Sequence, residues 1–366
     1  MKRLISLLLA ALTLLCCCAC AADPSAASGP AQIAPAETET PEASPAESAP
    51  AETPSPLDAP FGCSAWLCYW DAEAALEEAE TFSGDFEALL CFEAYFDTDG
   101  NILLPPESEQ LLEDMRAAGM PVWLTLVNDV QQPDGSYVQK SRDFLAKELT
   151  SASARSAHIS KIMALVRAYG LTGLEIDYEN FKKDTELWAG FTALLEQLTD
   201  ILDHNGVRLR VVMECGAPKY AQFPAGPVYS CMCYNLYGYH SGPGPKADVA
   251  FLEGLAESWE SVPGEVHMAF ATGGFLWEDD KVDRALTEQD ALDWLEKADV
   301  KAERDEDSGA LRAVVCGSKK NTLWYADGET LAIWRDTLRA RGYTHFDLFR
   351  LGGNTPESLA AFLDKR

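Results

Sequence analysis

The chain has 366 residues, more than one average domain but within the range of a single α/β barrel, and 47% of them are hydrophobic, enough for a sizeable core. With 58 acidic against 29 basic residues it carries a formal charge of −29, which argues against nucleic acid as a partner and against electrostatic docking on anionic lipid. Much of the imbalance lies at the front, where no Lys or Arg occurs between Arg3 and Arg116, and its main consequence is solubility.

Lys2 and Arg3 precede an apolar run, Leu4 to Leu15, that is short for a bilayer span and reads as a secretory signal. The run ends in LLCCCACAA, which resembles the lipobox of bacterial lipoproteins, where a Cys after a small residue is lipidated. Cys20 follows Ala19 and Cys18 has Leu15 three places before it, so either fits the lipidation site; simple secretion after cleavage near Ala21 is the alternative. Diacylation plus an amide-linked chain would supply more than one buried acyl tail, enough for stable anchoring to the cell membrane. Residues 21 to 58 are mainly Ala, Pro, Glu, Ser and Thr. Such a stretch buries too little apolar surface to offset its ordering entropy, so a disordered, extended tether is expected, with one catalytic domain over 59 to 366.

Beyond the tether the pattern alternates between strand and helix. CSAWLCYWD (63 to 71) predicts a first buried strand followed by a short helix, and EALLCFEAYFDTDGNI (87 to 102) a second strand ending in a DTDG turn. A helix over 107 to 118 leads to PVWLTLVND (121 to 129), and a helical stretch over 141 to 168, in one piece or two, leads to a fourth strand at GLEIDYE. Apolar residues from Leu187 to Leu202 recur at helical spacing and Gly206 stops that helix. Strands five, six and seven follow at 207 to 215, 228 to 238 and 265 to 274, and the last at 345 to 353, fed by a helix over 329 to 341. Eight such units predict an α/β fold, a (β/α)8 TIM barrel, with residues 280 to 326 as an insertion of strand-like pieces on its rim. The seven cysteines past the leader show neither CxxC pairs nor Cys/His ligand spacing, so buried free thiols are expected, with no metal and no cofactor.

The stretch LTGLEIDYENF places Glu175, Asp177 and Glu179 at alternate positions, so a strand would project all three carboxylates to one face. Their mutual repulsion raises the proton affinity of at least one of them, which is what a general acid needs. A solvated acidic edge is the plainer reading, but flanking helices on both sides favour a parallel strand whose carboxylates face a barrel interior. In a barrel the site lies at the C-terminal strand ends, which here carry Glu179, Glu214, Tyr234, Asn235, Trp277, Phe349 and Arg350. Carboxylates with aromatic faces suit a sugar, since rings stack on sugars and carboxylates cleave glycosidic bonds.

GLEIDYE resembles the DGxDxDxE signature of glycoside hydrolase family 18, the chitinase-like barrels, and MCYNLYGYHSGPGP (232 to 245) resembles that family's strand-six motif. The trailing GPGP is similar to the branch containing spore-cortex-lytic and peptidoglycan N-acetylglucosaminidases; TGGFLW (272 to 277) and the closing segment through FDLFRLGG match more loosely. The resemblance implies Glu179 as general acid and then base, Asp177 as the residue orienting the 2-acetamido group that attacks the anomeric carbon, and Tyr234 as its hydrogen-bonding partner, assisted by Asn235. It further implies Glu175 as an inner acid sharing charge with Asp177, and Trp277 and Phe349 as sugar-subsite walls. Glu214 fits a substrate contact or a barrel-interior salt bridge, and Tyr69 a sugar platform or a core residue. Departures are Thr172 and Glu175 where Asp is common, LVND ending strand three, Phe349 in place of a Trp, and Gly273 and Leu276 within the strand-seven motif. The expectation is a monomeric, membrane-anchored glycosidase that hydrolyses a β-1,4 bond beside N-acetylglucosamine, in peptidoglycan or a chitin-like glycan. The alternative is a barrel on the cell surface that binds such a glycan without cleaving it.

Overall fold

The computed structural model describes residues 55–364; the leader with Cys18 and Cys20 and the tether up to residue 54 lie outside the described residues. Eight parallel strands close on themselves: β1 (Gly62–Cys68), β2 (Ala88–Asp97), β3 (Trp123–Gln131), β4 (Gly173–Asp177), β5 (Arg208–Glu214), β6 (Val228–Met232), β7 (Val266–Ala271) and β8 (His345–Phe349). Each pairs with its neighbours in chain order, and β1 pairs with β8 through Gly62 beside His345 and Ala65 beside Leu348. The fold is a (β/α)8 barrel. Strands buried on both faces read as continuous apolar runs, and β1 and β2 are of that kind.

The outer layer contains α1 (Ala72–Thr81), α2 (Pro106–Ala117), α3 (Arg142–Leu149), α4 (Ala152–Tyr169), α5 (Thr185–His204) and α6 (Val249–Trp259). The stretch read as one helix or two is two, since α3 stops at Thr150 and Ser151 caps α4 by accepting from Ala154 N–H at 3.1 Å. Asp184 caps α5 by accepting from Leu187 N–H at 3.0 Å, and Leu187, Phe191, Leu194, Leu195, Leu198 and Leu202 bury its apolar stripe. Between β5 and β6 the connection holds only a 3₁₀ turn, Ala217–Lys219, so one unit of the barrel lacks its helix.

Strand seven is shorter and the insertion longer than the sequence suggests. β7 ends at Ala271, and Gly273–Glu278 opens a separate antiparallel sheet of five strands running to Ala326. HMAFATGGFLW is largely apolar on both sides of Thr272, so its pattern shows no clear break. The break is steric: Gly273 has a φ of +60°, and a Cβ on Gly274 would lie 1.8 Å from the carbonyl oxygen of Trp324 on the paired strand. The insertion also carries a helix that strand-like pieces did not announce, α7 (Glu288–Ala298), capped by Thr287 and Asp290 in a reciprocal box. After it come α8 (Gly328–Arg339) and α9 (Pro356–Phe362).

Pro56–Asp58 forms a 3₁₀ turn, and the Arg339 guanidinium of α8 donates to the carbonyls of Leu57 and Ala59. Cys63, Cys68, Cys91, Cys231 and Cys233 are buried and in no disulfide, whereas Cys316 is exposed on the insertion. Among the described residues no helix is long and apolar enough to cross a membrane.

Candidate active site

An open cleft of about 680 Å³ lies over the C-terminal ends of the strands. Its walls are Phe92 and Glu93 of β2, Val127 to Asp129 of β3, Asp177 of β4, Met232 of β6 and Phe349 of β8, with Glu179, Tyr234, Asn235, Gln139 and Lys140 from the loops that follow. The four residues Asp177, Glu179, Tyr234 and Asn235, which lie on two segments over fifty residues apart, are thus brought together with Phe349. The peptide bonds Phe92–Glu93, Tyr234–Asn235 and Phe349–Arg350 at this end are cis.

Glu179 is held from both sides. Its backbone N–H donates to Asn128 Oδ1 at 3.0 Å and its carbonyl accepts from Asn128 Nδ2 at 3.2 Å, so strand three fixes the loop that carries the carboxylate. Lys140 Nζ then donates to Glu179 Oε2 at 2.6 Å. Burial, and then the charge of Glu179, push the Asp177 carboxyl well above the usual carboxylate range. Asp177 Oδ1 and Asn235 Oδ1 are buried in the cleft wall without a hydrogen-bond partner, so the cleft presents two polar atoms that a ligand can satisfy. The Phe349 ring stacks on Tyr234 at 6.1 Å and meets Trp66 and Phe92 edge-on at 5.8 and 5.7 Å, which makes an aromatic floor.

Three of the expected contacts are placed elsewhere. Glu175 is fully buried beneath the cleft: its Oε1 accepts from Trp66 Nε1 at 2.5 Å and Thr125 Oγ1 at 2.7 Å, and its Oε2 lies 2.7 Å from Arg210 Nε. Strand register explains this, since Thr125 of β3 and Arg210 of β5 sit beside Glu175 in one barrel layer. It is an internal ion-pair partner outside the cleft lining, and its charge adds to the rise of the Asp177 carboxyl. Trp277 is likewise fully buried, in the insertion sheet against Phe275, because the strand it occupies leaves the barrel at Gly273. Tyr69 is half-buried in the turn after β1, packed edge-on to Trp70 at 5.1 Å, and is outside the cleft lining.

Glu214 stands at the end of β5, where burial and the nearby charge of Glu179 raise its carboxyl to about 7. Asp129 is raised to about 6, first by burial, with Glu179 adding to it. A carboxyl whose folded pKa is raised above its ordinary value stabilises the fold below that ordinary value and loses the contribution as pH rises through the folded one. The protein is therefore expected to lose thermal stability between about pH 4.5 and pH 7, and Glu214→Gln to flatten part of that loss. Melting curves of both proteins across this window test it; parallel curves would remove Glu214 as a source.

Sequence reasoning did not find Glu93, Asp129 and Lys140. Glu93 lies inside an apolar run, at an irregularity in the pairing of β2 with β3, and is pushed well above the carboxylate range by burial and then by Asp129. Lys140 follows a two-residue hairpin strand, Tyr137–Val138, in a polar loop whose sequence carries no signal of folding back over strand four. Among the described residues, Glu265, His267 and His345 are the group that could hold a metal ion, and they lie at the opposite end of the barrel. The two imidazoles stack at 4.9 Å with planes 17° apart, so their in-plane lone pairs run side by side and do not converge. His267 is accounted for by Asp347 at 2.9 Å and Glu265 at 3.1 Å.

No family model and no curated protein sequence matches the chain. Solved structures do match its fold. A chitinase from Chromobacterium violaceum ATCC 12472 superposes with a TM-score of 0.70 at 17% identity, over 82% of this chain and 98% of that one. The Bacillus cereus spore cortex-lytic enzyme SleL gives 0.68 at 15% identity, over 83% and 74%. A class V chitinase from Nicotiana tobaccum, solved in complex with NAG4, gives 0.68 at 13%, over 83% and 98%. The architecture is that of the chitinase and cortex-lytic glycosidase barrels.

Proposed function

We propose that the protein is a glycoside hydrolase of the family-18 type that cleaves a β-1,4 bond next to N-acetylglucosamine by substrate-assisted, retaining catalysis. The observation that carries this reading is the pairing, in one cleft, of Glu179 with an Asp177 whose buried Oδ1 has no partner. An N-acetylglucosamine over the Phe349 ring would place its acetamido N–H against Asp177 and its carbonyl oxygen beside the anomeric carbon, with Tyr234 and Asn235 bordering the same group. Glu179 then gives its proton to the glycosidic oxygen as the bond to the anomeric carbon breaks and the acetamido oxygen bonds to that carbon. As positive charge develops on the oxazolinium its N–H becomes a stronger donor to Asp177, a contact that strengthens from ground state to transition state. Water, deprotonated by Glu179, opens the ring and restores the original anomeric configuration.

A lipid-anchored extracytoplasmic location, at Cys20 or Cys18, belongs to the same proposal, with the stretch up to residue 58 spacing the barrel from the membrane and the glycan of the cell wall as substrate. Hydrolysis of fluorogenic N-acetylglucosamine oligomers and of peptidoglycan by the whole chain, with the product anomer followed by NMR, tests the chemistry. Release of the β-anomer first is expected. Release of the α-anomer would exclude acetamido participation, and tight glycan binding with no release would favour the binding-barrel reading.

A further inference from the structure

The cleft is rich in acids, with Glu93, Asp129, Asp177 and Glu179 in its walls, yet its lining among the described residues includes one cation, Lys140. That cation is a built feature. Its backbone N–H donates to Asp129 Oδ1 at 2.8 Å, its carbonyl accepts from Asn180 Nδ2 at 3.0 Å, and it holds a φ of +48°, uncommon for a residue with a side chain. Asn180, which follows the acid Glu179, also has a positive φ, +70°. Two loops are thus clamped together so that the Lys140 ammonium, mostly buried, meets Glu179 Oε2. Burial works against this charge, but Glu179 first, then Asp177 and Glu214, outweigh it and keep Lys140 firmly protonated. One oxygen of the acid is thus engaged in an ion pair and not free to hand a proton to a leaving group.

We infer that Lys140 is the receptor for an anionic substituent, a carboxylate, on the sugar at the leaving-group side of the cleaved bond. The inference rests on the glycosidase reading of the cleft. Glu179 must reach the leaving oxygen, so whatever touches Glu179 Oε2 borders the sugar that departs. A carboxylate on that sugar gives the ammonium a second partner, draws it from Glu179, and frees the acid as the substrate seats. With a neutral glycan the ion pair must be broken without that second partner, so cleavage is slower. Among the described residues the walls supply no other positive group for such an anion, and their own carboxylates would repel it without Lys140.

The test compares two preparations of peptide-free peptidoglycan strands, one with its lactyl carboxylates free and one with them converted to methyl amides, on the wild-type chain, Lys140→Met and Lys140→Arg. Wild type is expected to show kcat/KM at least tenfold higher on the free carboxylates. Lys140→Met should bring the ratio to near one, and Lys140→Arg, which keeps the charge, should retain a ratio above three. A lysine that merely orders Glu179 would change both substrates equally, so an unaltered ratio in Lys140→Met overturns the inference, as does a wild-type ratio of one. Binding of the same strands by calorimetry separates the two readings. If wild type cleaves neither preparation but binds the free carboxylates tenfold more tightly, and Lys140→Met does not, the hydrolase reading falls and the anion site stands. Equal binding to both overturns the anion site.

Discussion

Glu179→Gln is expected to lower kcat on N-acetylglucosamine oligomers at least a hundredfold while changing KM only a few-fold. The amide keeps the side chain's volume and can still accept from Lys140, so the loop held by Asn128 should stay as it is. What it lacks is a proton for the leaving oxygen, and a positioned acid contributes on the order of 10²- to 10⁴-fold. The substitution leaves the Phe349 ring, Asn235 and Tyr234 in the cleft wall unchanged, which is why KM should move little. The leaving group offers a sharper check. With an acidic phenol as leaving group the departing oxygen needs little protonation, so the deficit of Glu179→Gln should shrink several-fold. Asp177→Asn should show no such dependence, because its proposed role lies on the acetamido side. A deficit below tenfold, or one independent of leaving group, would remove Glu179 from the acid's role.

The barrel was legible in the sequence because alternation of strand and helix survives averaging over some three hundred residues, and because a parallel strand buried on both faces leaves a dense apolar run. The acid pair was legible for a different reason: carboxylates at alternate positions of an otherwise apolar strand stand out locally. What period-two spacing cannot convey is depth along the barrel axis. Glu175 and Asp177 share a face, yet 6–7 Å of strand rise separates one in a sealed ion-pair layer from one at an open cleft. The same limit applied to Trp277, where two glycines inside an apolar run redirected the chain into a second sheet. Glu93 and Lys140 depend on a pairing irregularity and on a hairpin folding over a neighbouring strand, both set by tertiary contacts that no local pattern encodes.

That sealed layer is where the largest stability effect is expected. Arg210 is fully buried between Glu175, at 2.7 Å, and Asp347, at 2.9 Å, with its guanidinium 4.8 Å from the centre of the Trp66 ring. Asp347 accepts further hydrogen bonds from Ser230 Oγ at 2.6 Å and from His267. Although burial disfavours its charge, Arg210 and His267 hold Asp347 down at about 2. Arg210→Met fills most of the volume but leaves two buried carboxylates with one cation fewer, a loss of about 3–5 kcal/mol by comparison with other broken buried pairs. In a domain of this size that corresponds to a Tm lower by roughly 5–8 °C. The sign of its pH dependence follows. Without the guanidinium both carboxyls take up protons more readily in the folded state, so the variant gains stability relative to wild type as pH falls and loses it as pH rises. Denaturant titrations at pH 7 and pH 4.5 should therefore show a gap between the two proteins that narrows by at least 1 kcal/mol at the lower pH. A gap of the same size at both values would mean that lost packing on Trp66, and not the stranded charge, sets the cost.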